Sequence, residues 1–225
     1  MINVGIIGAG RIGQVHMKSI LSGVPEAKVL AVADPYMRPE VAEWLKGVGV
    51  EVVTKDHHDI LSDPRIDAVL ICASTDQHAP LSIEAIRAGK HVFCEKSMAY
   101  SIQDCQDVVM EWKRSGQVLV IGQQRLFDPK YIKAMELVHS GAIGEVTGVR
   151  NYWYRNNDWR REVPSPEFER HINWRLYNES SRGLMTELAC HQLQNGSWAM
   201  GVNPELVTGM GSLRYWKDGR EVFDN

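Results

Sequence analysis

Short apolar runs recur along the first half of the chain, and stretches with a helical spacing of apolar residues separate them. Each run has four to six residues and is rich in Val, Ile and Ala, which is typical of strands buried on both faces of a parallel sheet. Because strands that alternate with helices form a doubly wound sheet, the sequence predicts an α/β domain over residues 1–122. The predicted strands are Ile2–Ile7, Val29–Ala33, Val50–Val53, Ala68–Cys72, His91–Cys94 and Val118–Ile121.

The pattern changes after the sixth strand, where we predict a second domain over residues 123–225. A helix is predicted over about Pro129–Gly141, and Gly144–Arg155 has the two-residue alternation of a long strand. Residues 156–182 have no clean period and are rich in Trp, Arg, Asn and Pro, which is typical of a functional loop. Polar and apolar residues separate again onto two faces of a helix predicted over Gly183–Met200.

The first strand runs directly into Gly8-Ala9-Gly10-Arg11-Ile12-Gly13 and a helix with Ile12, Val15 and Ile20 on one predicted face. In such a unit the first glycine permits a tight turn, the second lets backbone N–H groups approach a pyrophosphate, and the third lets the helix pack on its strand. The free amides and the positive dipole end of the helix favour the anion. The residues predicted to bind a dinucleotide here are Gly8, Gly10, Arg11, Ile12 and Gly13.

Asp34 ends the second predicted strand, 21 residues after Gly13, which is about the spacing of a ribose-binding carboxylate. A carboxylate accepts hydrogen bonds from a free 2′-hydroxyl and repels a 2′-phosphate, so we predict NAD rather than NADP as the cofactor. Arg38 lies close to Asp34 along the chain. It is a candidate cofactor contact, at the adenine ring or at a 2′-phosphate, although an ordinary surface arginine fits the position too.

The composition of the chain bears on its binding partners and on the cellular compartment in which we expect it. The chain has 25 Lys and Arg against 28 Asp and Glu, a net charge of −3, with no basic block that would favour nucleic acid. A hydrophobic share of 44% is typical of a globular protein, and no membrane span is predicted. The first strand begins at Ile2, which leaves no room for a leader and indicates a cytoplasmic protein. The four cysteines lack the spacing of metal ligands, so no metal site is predicted.

The fifth predicted strand runs directly into Glu95-Lys96-Ser97. Ligands of an open parallel sheet lie outside the carboxyl ends of its strands. Glu95 and Lys96 are therefore predicted to lie at the cofactor cleft.

Several segments together resemble the glucose–fructose oxidoreductase, inositol dehydrogenase and MocA (GFO/IDH/MocA) family. They are the glycine motif, Ser74-Thr75-Asp76-Gln77-His78, Ala88–Ser97 and the crossover segment Gln123–Pro129, although Ser97 stands where the family usually has a proline that often follows a cis peptide. The resemblance implies an NAD-binding Rossmann domain followed by an α+β domain with an open, mainly antiparallel sheet. It adds to the expected cofactor contacts Ser74, Thr75, His78, Glu95, Lys96 and Gln124.

In this family a Gly-Gly-Gly…Asp-x-x-x-His segment supplies the substrate-side catalytic groups, and Ser181–Gly183 with Glu187 and His191 matches its spacing. The resemblance implies an NAD-dependent dehydrogenase that transfers a hydride between a secondary alcohol of a sugar or polyol and the nicotinamide. His191 is the expected base, Lys96 the charge that polarises the oxygen, and Glu187 the group that orients them. All three are expected to contact the substrate.

Arg155, which ends the predicted strand, and Trp174, in the irregular segment, are further candidates for substrate binding. Polar forks and aromatic faces suit a sugar or polyol ring, although a tryptophan is equally suited to be a packing anchor.

Two other functions use the same residues or fewer. In a redox-assisted lyase or glycosidase, the dinucleotide oxidises a sugar hydroxyl transiently and regains the hydride after elimination. A non-catalytic sensor would bind the dinucleotide to regulate a partner, but it needs no acid–base pair.

Family members commonly oligomerise through the second-domain sheet, so a homo-oligomer, a dimer or tetramer, is expected. Family members also continue further than Asn225. We therefore expect the chain to be a fragment whose last residues form a bare edge strand.

Overall fold

The computed structural model describes residues 1–154 and 156–225. The chain divides into two compact units, Met1–Gly122 and Gln123–Asn225. Each unit is described by itself below.

The first unit is built on a six-stranded sheet in which every neighbouring pair of strands is parallel. The strand order is β3-β2-β1-β4-β5-β6, with the chain reversing its direction of winding between β1 and β4. The predicted doubly wound Rossmann sheet is therefore confirmed. The strands are β1 (Ile2–Ile7), β2 (Ala27–Ala33), β3 (Val52–Thr54), β4 (Ala68–Ile71), β5 (His91–Glu95) and β6 (Leu119–Gly122).

Helices connect these strands and pack on the sheet. They are α1 (Arg11–Gly23), α2 (Pro39–Gly47), α3 (His58–Leu61), α4 (Thr75–Arg87) and α5 (Ile102–Arg114). The longest have 13 residues, and among the described residues no helix is both long and apolar enough to cross a membrane.

The two faces of the sheet bury separate apolar clusters. Ile6 of β1 packs with residues of α1 and α2, whereas its neighbour Ile7 packs with residues of α3 and α4. Successive strand side chains point to opposite faces, so one continuous apolar run supplies both clusters. The buried face of α1 is centred on Gly13 and Met17, and Val15, which we expected there, is half-exposed. Met17 follows Gly13 by one helical turn, while Val15 lies about 160° away from Met17 around the axis.

The described residues of the second unit form short helical pieces joined by segments without regular secondary structure. The helices are α6 (Pro129–His139), α7 (Glu169–Ile172) and α8 (Cys190–Met200), with 3₁₀ turns at Gln124–Phe127, Pro166–Phe168 and Trp174–Leu176 and one π-helical turn at Met185–Ala189. Asp128 begins α6 by accepting a hydrogen bond from the Lys130 backbone N–H at 2.9 Å.

The strand predicted over Gly144–Arg155 is a correction. None of the described residues of this unit lies in a β-strand, so the expected antiparallel sheet and its bare edge strand are not formed among them. Residues 145–154 have no regular secondary structure, and the rings of Tyr152 and Tyr154 stack with their centroids 5.5 Å apart. A strand also needs a neighbour to receive its backbone hydrogen bonds, and the alternation of side chains does not specify one.

Charged side chains order the irregular segment after residue 156. Arg160 forms ion pairs with Glu169 and with Asp218, whose carboxylate lies 3.0 Å from the Arg160 Nε atom. Arg220 donates to the same carboxylate, and the Tyr177 hydroxyl donates to Glu169 at 2.5 Å. The Arg220 and Arg160 hydrogen bonds hold the pKa of Asp218 well below its usual range, although partial burial acts in the opposite direction. The segment therefore has a defined conformation without a hydrophobic period.

Candidate active site

The glycine loop after β1 contains two positions where a side chain has no room. Gly8 has a positive φ of +102°, and a Cβ atom there would lie 2.7 Å from the backbone of Cys72. A Cβ atom on Gly13 would lie 2.0 Å from the Gly8 carbonyl oxygen. Gly10 differs, because a Cβ atom there would meet nothing within 4 Å. The loop is thus tightly packed on the side of Gly8 and Gly13 and open on the side of Gly10.

Helix α1 begins at this open side with Gly10 as its N-cap, and no side chain of the described residues caps it. The first-turn N–H groups, which belong to Arg11, Ile12 and Gly13, are therefore available to an anion together with the positive end of the helix dipole. Arg11 is exposed and Ile12 is partly buried. Open space at Gly10 and an uncapped helix start fit the pyrophosphate of a dinucleotide.

Asp34 follows β2 and holds the glycine loop in place. Its Oδ2 atom accepts a hydrogen bond from the Ala9 backbone N–H at 2.7 Å, and its Oδ1 atom accepts one from the Tyr36 N–H at 2.8 Å. Each carboxylate oxygen has a second lone pair, so both can also accept a ribose hydroxyl. Arg38, the other candidate on this side, is exposed and pairs with Glu40 at 3.2 Å, as a surface arginine does.

Asp34 accepts hydrogen bonds from backbone N–H groups and is also the proposed acceptor of a ribose hydroxyl, which leads to a prediction about the choice between NAD and NADP. We expect Asp34→Ser to weaken NAD binding about tenfold or more, because a charged acceptor of hydroxyl and backbone donors is lost. NADP binding should weaken much less, because a carboxylate that repels the 2′-phosphate is lost as well. Titration of both dinucleotides measures the ratio of dissociation constants, with Asp107→Ser on α5 as the control. A ratio that stays at the wild-type value would contradict the assignment of Asp34 to the ribose.

Lys96 lies immediately after the carboxyl end of β5, as predicted, and the Lys96–Ser97 peptide is cis. The adjacent Glu95 is anchored on both of its oxygens. Its Oε1 atom lies 2.8 Å from the His16 Nε2 atom, and its Oε2 atom accepts the Lys96 backbone N–H at 3.1 Å. Partial burial opposes ionisation of Glu95, but His16 and the Lys96 N–H hold its pKa below the usual range. Glu95 therefore connects helix α1 to the backbone of Lys96, and its carboxylate is used in this contact.

Sequence reasoning did not identify His16. This residue lies three positions after Gly13 on α1, and its ring also packs edge-on against Phe93 of β5 at 5.3 Å between ring centroids. The predicted topology could have identified His16, because in a doubly wound sheet the helix that follows β1 starts at the same edge at which β5 ends.

We predict that the His16–Glu95 pair contributes to stability at neutral pH. His16→Leu leaves a partly buried carboxylate without its partner and should lower the free energy of unfolding by about 1.5–3 kcal/mol at pH 7. The wild-type pKa of Glu95 is depressed in the folded state, so its contribution is present above the ordinary value of 4.5 and is lost as the pH falls through the folded value.

Urea unfolding of the wild type and of His16→Leu, at pH 7 and at about pH 3, measures how the stability loss depends on pH. The difference in the free energy of unfolding between the wild type and His16→Leu should be smaller at the acid pH. His16→Gln, whose amide can still donate to Glu95, should lose less stability than His16→Leu at pH 7. Equal losses at both pH values would show that His16 acts by packing alone.

The loop after β4 holds three more predicted cofactor contacts. Ser74 is the N-cap of α4, and Thr75, the first residue of that helix, is fully buried. His78 is 2% exposed, and its ring nitrogens lie 2.6 Å from the Ser97 carbonyl oxygen and 3.1 Å from that of Ala73. His78 thus joins the loops that follow β4 and β5, and this geometry does not support the predicted direct contact with the cofactor.

In the second unit, His191 lies near the start of α8 and is 5% exposed. Its Nδ1 atom lies 3.2 Å from the Oε1 atom of Gln123. An amide oxygen only accepts, so Nδ1 is the donor in this hydrogen bond. Gln124, which we predicted as a cofactor contact, is exposed, and it is the preceding residue whose side chain reaches the histidine.

Glu187 lies in the π-helical turn and is also buried. Its Oε1 atom accepts a hydrogen bond from the Ser181 hydroxyl at 3.3 Å, and the Arg175 Nε atom lies 3.8 Å from its Oε2 atom. The predicted single α-helix over Gly183–Met200 is thus a correction, because the π turn precedes α8. A π turn has more residues than an α turn, so the predicted stripe from Glu187 to His191 does not follow the 3.6-residue period.

Trp174 begins a 3₁₀ turn beside Arg175, whose guanidinium lies 4.0 Å from the centre of the indole ring. Arg175 therefore links the tryptophan to Glu187, a contact that sequence reasoning missed. Arg155, predicted to bind substrate, lies outside the described residues.

Comparisons with known proteins identify the family of the chain. A family model described as "Oxidoreductase family, NAD-binding Rossmann fold" matches residues 2–123, and one described as "GFO/IDH/MocA C-terminal domain" matches residues 131–225. The chain is 34% identical over 94% of its length to an inositol 2-dehydrogenase of Rhizobium meliloti, and 31% identical over 93% to a myo-inositol 2-dehydrogenase of Thermotoga maritima.

A solved structure, scyllo-inositol dehydrogenase from Lactobacillus casei with bound NAD(H) and scyllo-inositol, is similar over 89% of this chain and 56% of that chain, with 27% identity and a TM-score of 0.71. The chain spans 59% and 58% of the lengths of the two relatives above. Both family models together cover almost all of this chain and agree with its Rossmann sheet and glycine loop. The chain therefore belongs to the GFO/IDH/MocA family and carries that family's NAD-binding Rossmann domain.

Proposed function

We propose that the protein is an NAD-dependent dehydrogenase that oxidises a secondary hydroxyl of a polyol, with inositols as the substrate class. The observation that carries the proposal is the hydrogen bond between His191 Nδ1 and Gln123 Oε1. In the neutral imidazole this hydrogen bond favours the tautomer with its proton on Nδ1 and its lone pair on Nε2, and that form can accept the hydroxyl proton of an alcohol. When bound, NAD supplies the hydride acceptor.

Lys96 serves as the positive group for the substrate oxygen in this proposal. As the hydroxyl loses its proton, negative charge develops on that oxygen, and an ammonium group beside it stabilises the charge. The anchoring of Glu95 by His16 and by the Lys96 N–H fixes the backbone from which the lysine side chain extends. A fixed backbone reduces the reorganisation needed during the reaction.

Glu187 is a positioning residue for the same chemistry. Ser181 donates to it, and Arg175 lies close enough for an ion pair, so the buried carboxylate is part of a polar network. We propose that this network orients the segment that leads into α8 and thereby the imidazole of His191.

The substrate class rests on the relatives. Two proteins that are 31% and 34% identical to this chain carry the name inositol 2-dehydrogenase in some form, and the similar solved structure contains scyllo-inositol. The ring of an inositol carries a hydroxyl on every carbon, so it presents many donors and acceptors to a polar site. Trp174 and Arg175 offer an aromatic face and a guanidinium fork of the kind that suits such a ring.

The test is turnover of the purified chain with NAD and a panel of inositols, aldoses and glycosides, followed by absorbance of the reduced nicotinamide. We expect net NADH formation with at least one inositol and little with the glycosides. Consumption of a glycoside without net NADH would replace the dehydrogenase by the redox-assisted lyase or glycosidase. Binding of NAD without turnover of any member of the panel would overturn the proposal.

A further inference from the structure

Four side chains that the proposed reaction does not use meet on the surface of the first unit. Asp56, His57 and His58 follow β3 at the start of α3, and Glu84 lies in the last turns of α4. Ligand atoms of the first three lie within 4.8 Å of one another. The Glu84 Oε2 atom lies 2.8 Å from the His57 Nε2 atom and 3.9 Å from the His58 Nε2 atom.

We propose that this cluster is a binding site for a divalent transition-metal ion, with Zn²⁺ as the first candidate. The ligands are the Nε2 atoms of His57 and His58 and the carboxylate of Glu84. Two imidazoles and a carboxylate form a familiar ligand set for zinc, with water in the fourth position. Imidazole nitrogen also selects this class of metal over Mg²⁺ and Ca²⁺, which prefer oxygen.

Two of the distances between the proposed ligand atoms, those from Glu84 Oε2 to the two histidine Nε2 atoms, are close to the size of the ion. Ligand atoms about 2.05 Å from a tetrahedral zinc ion lie about 3.3 Å apart. The two separations from Glu84 Oε2, 2.8 and 3.9 Å, fall on either side of this value. Adjustments of about 0.5 Å are within reach, because all three side chains are at least partly exposed and end in rotatable groups.

Asp56 provides the feature that distinguishes the cluster from a chance group of surface charges. Its Oδ1 atom lies 2.7 Å from His58 Nδ1 and accepts the His58 backbone N–H at 2.9 Å. The carboxylate thus holds the Nδ1 proton and leaves the Nε2 lone pair for a metal. A metal-binding histidine almost always donates its other ring N–H to such a partner, which fixes its tautomer and orientation.

The two imidazole rings also lie close together. Their centroids are 4.1 Å apart at an interplanar angle of 34°, so a shared ion requires the rings to separate by about 1 Å. Asp56, Asp59 and Glu84 supply negative charge around them, and the Thr54 hydroxyl holds Asp59 in place. A dication therefore enters a region of complementary charge.

A bound ion would connect α3 to α4, which otherwise belong to separate β–α units of the sheet. A ligand that binds only the folded state raises its stability by mass action. We therefore expect Zn²⁺ to raise the thermal midpoint of the chain, whether or not dinucleotide or substrate is present.

The test is calorimetric titration of the chelator-treated full chain with Zn²⁺. We expect one saturable site, which His57→Gln and Glu84→Gln each weaken at least tenfold. Asp56→Asn removes the partner of His58 and should also weaken binding about tenfold or more. His139→Gln, which changes a histidine of the second unit that contacts the Trp198 carbonyl oxygen, is the matched control and should bind like the wild type.

A second measurement is the shift of the thermal midpoint on addition of Zn²⁺, which His57→Gln and Glu84→Gln should abolish. Circular dichroism checks that the variants fold. The proposal is overturned if no saturable site appears, if binding survives unchanged in His57→Gln and Glu84→Gln, or if His139→Gln weakens it equally.

Discussion

Lys96→Ala should lower kcat for polyol oxidation about 100- to 1,000-fold, the size of effect seen when one group that stabilises a developing oxyanion is removed. The dissociation constant for NAD should change less than about threefold. The ammonium charge matters most as the alkoxide forms, so its loss affects the transition state more than the ground state. Steady-state kinetics and a dinucleotide titration measure the two quantities separately.

The lysine control is Lys113→Ala, which removes an exposed charge in the last turn of α5. It should leave both quantities unchanged. If Lys96→Ala keeps near-normal turnover, Lys96 has no place in the reaction. If it loses NAD affinity and turnover in proportion, its function is to hold the cofactor.

His191→Asn should give the second large loss, about 100- to 10,000-fold in kcat, because a positioned general base contributes this much. The base must be neutral to accept the hydroxyl proton, so wild-type oxidation should slow on the acid side of its pH profile. That acidic limb should disappear in His191→Asn. Asparagine can keep a hydrogen bond to Gln123, so the loss reports the proton acceptor more than the local packing.

The histidine control is His139→Asn, which should keep both the rate and the acidic limb. An acidic limb that persists in His191→Asn would assign the base role to another group, with Lys96 or water as the next candidates. A Gln123→Leu variant should retain the limb while lowering the rate, because the histidine remains but the tautomer is no longer fixed.

The Rossmann unit could be predicted from the sequence because its strands and its glycine turn each have a distinctive local pattern of residues. The apolar runs at Ile2–Ile7 and Val29–Ala33 are too short for helices and too apolar for exposed strands. The glycines then restrict the turn between strand and helix to a shape that few other residues allow. Element bounds differ by only one or two residues for β2, β3 and β4.

The second unit could not be predicted to the same depth, because distant charges rather than local periodicity determine its conformation. Arg160 and Asp218 are 58 residues apart and both are polar, so no hydrophobic pattern shows that they pair. In segment 144–154 the local pattern was present but was not sufficient to predict the structure. Its side chains have the correct period for a strand, but pairing depends on a partner that the segment does not specify.

The sequence proposed residues for the candidate site but did not reveal their contacts. Glu187 and His191 were proposed from the spacing of the resembled family's segment and stay predictions, and the π turn at Met185–Ala189 departs from the 3.6-residue period of the helix predicted there. His16, Gln123 and Arg175 were missed because each reaches its partner through the fold. A lone polar residue in a sequence does not reveal such a partner.

The contact between Gly8 and Cys72 has a consequence for the newly made chain. The glycine loop lies against the backbone of Cys72, and the Cys72 N–H donates to the Ile7 carbonyl oxygen at 2.7 Å, so one wall of the loop is supplied 64 residues later than the loop itself. During synthesis, the β1–α1–β2 segment leaves the ribosome before that wall exists. We therefore expect NAD to find its complete binding loop only after β4 has docked beside β1, so that the cofactor stabilises the folded unit rather than the N-terminal segment alone.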